Sequence, residues 1–149
     1  SGKITSAFDM ARVMALGADW CNAARGFMFA VGCIQAQSCH TGECPTGVAT
    51  QDPLRSRAIV VPDKAERVAS FQRNTLHALA ELVAAAGLSH PSELRPHHFL
   101  RRASSDRVIS LAEQYEQLAH GQLTADPASS PRFAEAWALS TAGSFARAG

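Results

Sequence analysis

The chain carries no excess charge of either sign: fourteen basic residues stand against thirteen acidic ones and leave a formal net charge of +1. That balance excludes the electrostatic footprint of a nucleic-acid binder or of a protein held on an anionic membrane surface. Long apolar runs are missing too. The most apolar stretch, residues 26–34, is far shorter than the roughly 18 to 20 residues that a membrane-spanning helix requires. The first residues contain neither the basic nor the apolar segment of a secretory signal, so a reducing cytoplasmic setting is expected. Such a setting disfavours disulfides among the four cysteines. Glycine and proline, at ten and seven residues, are too few to suggest disorder, and 46% hydrophobic content over 149 residues suffices for one domain with a core.

What is present is a concentration of thiols. Cys33, Cys39 and Cys44 fall within twelve residues, separated by five residues and then four. The paired C-x2-C spacing of most zinc sites is absent. Soft thiolates on an irregularly spaced loop suit an iron-sulfur cluster. Spacing alone leaves structural zinc, and buried or disulfide-bonded thiols, open as alternatives. His40, beside Cys39, is a ligand, a hydrogen-bonding neighbour of a sulfur, or, as is commoner, a plain loop histidine. Pro45 directly after the third cysteine stiffens its backbone, and residues 45–53 are rich in turn formers.

Either side of this stretch the chain reads as helices. Apolar residues at helical spacing from Ser6, with Ser6 as N-cap and Gly17 as stop, predict a first helix of about three turns. Residues 18–23 are a short strand candidate, and a second apolar helix is expected over 27–37. The longest helix is expected over 63–86, where Val68, Phe71, Leu76, Leu79, Leu82 and Val83 form one stripe that faces a larger body and Gly87 ends it. His97 and His98 do not share a helix face and are read as surface residues. A further helix is expected over 106–118, capped by Ser104 or Ser105. The Ala- and Ser-rich tail reads as loose, with Phe133, Trp137 and Leu139 offering at most a short docking helix.

Two places invite an anion. Ser1-Gly2-Lys3 and Ala24-Arg25-Gly26 each set small residues ahead of a helix, where free amides and the positive end of the helix dipole favour phosphate. Ordinary capping is the commoner use of such residues. Arg25 is a candidate phosphate clamp through its fork of donors, against the usual solvated or ion-paired arginine.

Taken together, residues 1–102 resemble the C-terminal part of the flavin-binding domain of glutamate synthase, and of glutamate-synthase-like proteins that carry that domain without a glutaminase. The most specific part is Gly32-Cys33-Ile34, then Cys39-His40, then residues 44–52, Cys44-Pro45-Thr46-Gly47-Val48-Ala49-Thr50-Gln51-Asp52. The resemblance implies that Cys33, Cys39 and Cys44 bind a 3Fe–4S cluster, with Cys21 a small buried residue outside the motif. It also implies an α/β fold: the C-terminal portion of a (β/α)8 TIM barrel, then the cysteine loop and a helical extension, the piece itself being mostly α. On that template Ser1, Gly2 and Lys3 match the loop after strand seven, residues 18–23 match strand eight, and Ala24, Arg25 and Gly26 match the next loop, the two loops together holding the phosphate of FMN. Departures from the family pattern are Arg25 in a loop of usually Phe-Gly-Thr type, and Thr41-Gly42-Glu43 where Leu-Asn-Thr is usual.

The resemblance therefore divides the chain into the end of the barrel with the iron-sulfur loop (1–61), a helical extension (62–121) and a flexible tail (122–149). It implies a cytoplasmic oxidoreductase of CH–NH2 donors in glutamate biosynthesis. There 2-oxoglutarate and glutamine-derived ammonia form an imino acid, reduced FMN delivers hydride, and electrons arrive through the cluster from a donor subunit or ferredoxin. With no initiator Met before Ser1, no earlier barrel strands and no N-terminal glutaminase cysteine, the chain reads as part of a larger enzyme, inactive alone and without catalytic residues of its own. Two other readings stay open: a noncatalytic electron-transfer module docking on a separate barrel, and an FMN oxidoreductase of the same barrel family with another substrate.

Overall fold

A computed structural model describes residues 1–146. Helix α1 (Ala7–Ala15) begins where the sequence places it. Ser6 is extended, its hydroxyl accepts the Asp9 amide, and the Asp9 carboxylate accepts the amides of Ser6 and Thr5. This reciprocal box satisfies donors that a helix start leaves orphaned. The Ser6 hydroxyl also donates to that carboxylate at 2.9 Å, and this bond first, with those from Thr5 and the Ser6 amide, holds the Asp9 carboxyl below its ordinary range. Gly17, at φ +101°, turns the chain away beyond the helix end.

Residues 18–23 do not form the expected strand. A strand is defined by its pairing, and the pairing of this segment is confined to residues 1–4. One parallel-type pair results: the Ser1 nitrogen donates to the Trp20 carbonyl at 2.8 Å and the Asn22 amide to the Ser1 carbonyl at 2.7 Å. The two bonds bracket Cys21 as the slanted bonds of a parallel ladder do. Ile4 adds a 3.4 Å bond to the Asn22 carbonyl and is itself buried.

Helix α2 (Ala24–Val31) starts earlier and ends sooner than the apolar pattern predicts. Its stop is Gly32 at φ +122°, after which Gln35 and Gln37 adopt φ of 57° and 58°. Left-handed residues do not continue a right-handed helix. Beyond the cysteine loop, α3 (Pro53–Ser56) is a single turn capped by Asp52, whose carboxylate accepts the Leu54 amide at 2.8 Å.

Helix α4 (Val61–Ala85) carries Pro62 in its first turn, and Gly87 follows its end at φ +74°. Both α1 and α2 pack on it. Ala7, Ala11 and Ala15 are buried on α1, and side chains this small let the helix lie close to Leu79 and Val83 of α4. Two edge-to-face aromatic pairs finish the contacts, Phe8 with Phe99 at 5.5 Å and Phe27 with Phe71 at 5.1 Å. Leu76 stays 48% exposed, so the predicted α4 stripe is covered only in part. Charged residues interrupt α4, and among the described residues no helix is long and apolar enough to cross a membrane.

The helix expected over 106–118 is replaced by a hairpin of β1 (Leu100–Arg102) and β2 (Val108–Ser110), with Leu100 opposite Ser110. Its cause is local. Ser104, expected to cap a helix, donates its hydroxyl to the Asp106 carboxylate at 2.8 Å, and the Ala103 amide reaches the Arg107 carbonyl at 2.9 Å. Side chains of this kind serve turns as readily as caps. Only α5 (Leu111–Gln114) is helical in that region.

Two compact units divide at Leu111, the second beginning at Ala112. Within the second lie α6 (Gln122–Ala125) and α7 (Pro131–Ala138), the latter carrying Phe133 and Trp137. Residues 147–149 of the tail expected to be flexible lie outside the described residues. The chain is mostly helical, as expected, with one two-stranded sheet among the described residues.

Candidate metal centre

Gly32 delivers the chain from α2 straight into Cys33, which is half-buried and whose sulfur accepts the Gln35 amide at 3.4 Å. Cys39 opens a single tight turn, Cys39–Thr41, and is exposed, as is His40 within it. The Thr41 hydroxyl locks that turn by donating to the Ser38 carbonyl at 2.8 Å and accepting the Glu43 amide at 3.2 Å. Gly42, at φ +75°, lets the chain reverse into Cys44.

Cys44 is buried. Its sulfur lies 3.4 Å from the Thr46 hydroxyl and also accepts backbone amides of Ala49, Thr46 and Val48. The turn thus folds its own donors back onto the thiol. That circle, the Thr46 hydroxyl first, lowers the Cys44 pKa to about 7 against an ordinary 9.0. The energetic consequence has a definite sign. Stabilisation from the thiolate is complete above pH 9.0 and is lost as pH falls through about 7. Replacing Thr46 by valine removes the largest contribution and should move the Cys44 titration back toward 9.0. Thiolate ultraviolet absorbance against pH, referenced to Cys44→Ser, measures it; an unchanged midpoint would mean the backbone amides suffice.

A frame of hydrogen bonds holds the turn. The Thr50 hydroxyl donates to the Gly42 carbonyl, the Asp52 amide donates to the Thr50 hydroxyl at 3.0 Å, and the Arg55 guanidinium reaches the Glu43 carbonyl at 3.2 Å and the Asp52 carboxylate at 3.4 Å. Gly47 sits inside it at φ +77°, where an added Cβ would overlap the Arg55 carbonyl oxygen. Thr46 and Gly47 are the residues that reading by cysteine spacing passes over. The signal available was the Pro-Thr-Gly run itself, a turn sequence with a hydroxyl two residues from a thiol.

Among the described residues no three Cys, His, Asp or Glu side chains are gathered closely enough to hold a metal ion, and all four cysteines are free. The donor set nevertheless has the chemistry of an iron-sulfur group. Two of the three sulfurs, Cys33 and Cys44, already accept backbone N–H donors, which favour the thiolate and tune a bound cluster. Cys21 stands apart, lining a small cavity of about 140 Å³ with Met10, Phe27 and Phe71.

The two anion loops become neighbours through the pairing of Ser1 with residues 20–22. They differ in what their helices have left to offer. The start of α1 is closed by Ser6 and Asp9, whereas α2 has Ala23 at its N-cap and no side-chain cap. The open start is the one suited to an anion. Arg25 is exposed on that first turn. Gly26 has a packing role as well, because a Cβ there would come 2.8 Å from the Phe71 ring. Lys3, like Gln35 and Gln37, is a non-glycine residue at positive φ, here 60°. All three such residues among those described lie in the phosphate-type loop or the cysteine loop, and strained backbone of this kind gathers at functional sites.

Comparison with known proteins places these residues in a wider set. A family model described as a conserved region in glutamate synthase matches residues 1–89. The glutamate synthase large subunit-like protein YerD of Bacillus subtilis is 41% identical over 111 residues, which are 74% of this chain and 21% of that protein. The archaeal glutamate synthase (NADPH) of Methanocaldococcus jannaschii is 36% identical over 95 residues, 64% of this chain and 19% of that one. Glutamate synthase (NADH) of Saccharomyces cerevisiae is 33% identical over 97 residues, 64% of this chain and 4% of that one. The chain thus spans about a fifth of the length of the first two relatives. No solved structure matches it.

Proposed function

Because the chain belongs to the glutamate synthase family, we propose that Cys33, Cys39 and Cys44 hold a 3Fe–4S cluster and that Ser1, Gly2, Lys3, Ala24, Arg25 and Gly26 contribute to the phosphate site of an FMN. The observation that carries this reading is the Cys44 turn, where a buried thiol is ringed by the Thr46 hydroxyl and three backbone amides. When bound, the flavin supplies hydride transfer and the cluster supplies one-electron capacity.

The chain's own work is to hold charge and position. Donors around Cys44 stabilise negative charge on its sulfur at neutral pH. The exposed position of Cys39 on a locked turn leaves its sulfur free to approach a cluster from the solvent side. At α2, the uncapped first turn offers backbone amides, and Arg25 offers a charged fork, to a phosphate dianion. Asp9 keeps the amides at the α1 start occupied, so α2 is the phosphate's principal anchor and Lys3 its cationic neighbour. Residues 1–61 form the end of a (β/α)8 barrel on this reading, residues 62–121 a helical extension and 122–149 a tail. The parallel-type pairing of Ser1 across Cys21, with α1 as the crossover between the paired segments, supports the barrel assignment.

The complete protein is then a cytoplasmic oxidoreductase that forms glutamate from 2-oxoglutarate and glutamine-derived ammonia. The remainder of the barrel supplies substrate contacts, and a donor subunit or ferredoxin supplies electrons. Anaerobic reconstitution of the complete protein with iron and sulfide tests the assignment and should give about three irons per chain with the electron-spin signal of a 3Fe–4S cluster. Stoichiometric zinc without sulfide would overturn it. Arg25→Ala should weaken FMN retention about tenfold, the usual scale for one charge-assisted contact. Equilibrium dialysis of flavin reads this, and unchanged retention would return Arg25 to the solvated surface.

A further inference from the structure

A cleft of about 410 Å³ borders the cysteine loop. One wall is Gly32, Cys33, Ile34 and Thr46, and the other presents Lys64 and Arg67 of α4. Cys33 is one proposed ligand, and the Thr46 hydroxyl touches the sulfur of a second, Cys44. Two cations therefore share a cavity with one thiol, Cys33, and with the hydroxyl that touches a second.

Their setting is unusual for surface cations. Lys64 is half-buried, and its ammonium stands 3.4 Å from where a Cβ of Gly32 would lie. Lys64 and Arg67 are three residues apart, hence on one face of the helix. Neither forms an ion pair among the described residues, whereas the intervening Glu66 is engaged by Arg73 at 2.8 Å and by Ser70 at 3.3 Å. Lys64 also lies in the first turn of α4, at the positive end of its dipole, where cations are disfavoured. A half-buried ammonium with no counter-charge at that end of a helix calls for an anion in the cleft.

We propose that Lys64 and Arg67 are positioning residues that compensate the charge of the cluster and raise its reduction potential. The inference rests on Cys33, Cys39 and Cys44 being the cluster's ligands. A cluster bound by three thiolates is anionic, and uptake of one electron from an external reductant makes it more negative by one charge, with no bond made or broken. A fixed cation stabilises the reduced state more than the oxidised one, so its removal makes reduction harder.

The test is a mediated redox titration of the reconstituted complete protein, followed by electron-spin resonance. Lys64→Met keeps most of the apolar stem and removes the charge. It should lower the reduced-to-oxidised ratio about tenfold at the midpoint of the unaltered protein, a shift of about 59 mV for a one-electron couple. Arg67→Gln, at an exposed position, should shift it the same way by less, and Lys64→Arg should leave it in place. Unchanged potentials in both Lys64→Met and Arg67→Gln, with iron and sulfide content intact, overturn the inference alone. Failure of the unaltered protein to assemble any cluster overturns the ligand assignment and the inference with it. Should Lys64→Met hold no iron, the potential of Arg67→Gln decides.

Discussion

Gly47→Ala should destabilise the protein by about 3 kcal/mol and empty the cysteine loop, the largest effect expected of any glycine here. Two costs coincide at that position. The backbone sits at φ +77°, which a residue with a Cβ adopts only under strain, and the added atom would overlap the Arg55 carbonyl oxygen and lie 3.2 Å from its carbonyl carbon. Backbone does not rotate out of the way as the end of a side chain does. Relief would require moving α3, which carries Arg55, and Arg55 also reaches the Glu43 carbonyl next to Cys44. The Gly47 amide itself closes the turn on the Cys44 carbonyl at 3.3 Å. Gly143→Ala is the control, since nothing lies within 4 Å of a Cβ there. Urea unfolding and iron content should separate the two variants clearly, and a Gly47→Ala protein with the midpoint of the parent would show that the loop yields at no cost.

Cys39→Ser should reduce cluster content to background while leaving the fold intact. Cys39 is exposed and neither its thiol nor its neighbour His40 contributes to the buried core, so little packing is lost. What changes is ligand chemistry: a hydroxyl is a harder, weaker ligand for iron than a thiolate. Cys21→Ser, in the separate cavity with Met10 and Phe27, should retain a full cluster signal. The reverse pattern, with Cys21 needed and Cys39 dispensable, would falsify the ligand set. Circular dichroism of both variants guards against a trivial loss of structure.

Helix limits governed by neighbouring residues were legible in the sequence. Ser6 capping α1, Gly17 beyond it, and Gly87 beyond α4 all follow from hydrogen bonds or φ values set within a few positions. The expected strand over 18–23 was not legible as it stands, because pairing depends on a partner and only Ser1 and Ile4 reach it. The helix expected over 106–118 failed for a different reason. Ser104 and Asp106 have equal claims as helix caps and as turn residues, and the pairing of Leu100 with Ser110, which decides between them, is not a local property. In the candidate site the cysteine spacing could be read directly, and so could the small residues that precede α1 and α2. The roles of Gly47, Thr46 and Lys64 could not, since each depends on a carbonyl, a sulfur or a glycine brought close by the fold. At Ala24, Arg25 and Gly26 the feature that departs from ordinary capping is the open start of α2, which no side chain closes.

One consequence of α2 concerns length rather than composition. On the proposed assignment its first turn meets the flavin phosphate, and only Gly32 separates its last residue from Cys33. The helix is then a ruler: at about 1.5 Å per residue, its eight residues set the two cofactor anchors roughly 12 Å apart. Inserting or deleting one residue would alter that span by about 1.5 Å and swing Cys33 around the axis by about 100°. Within α2 the exposed Met28 should therefore accept many substitutions, whereas the helix should accept no change in count.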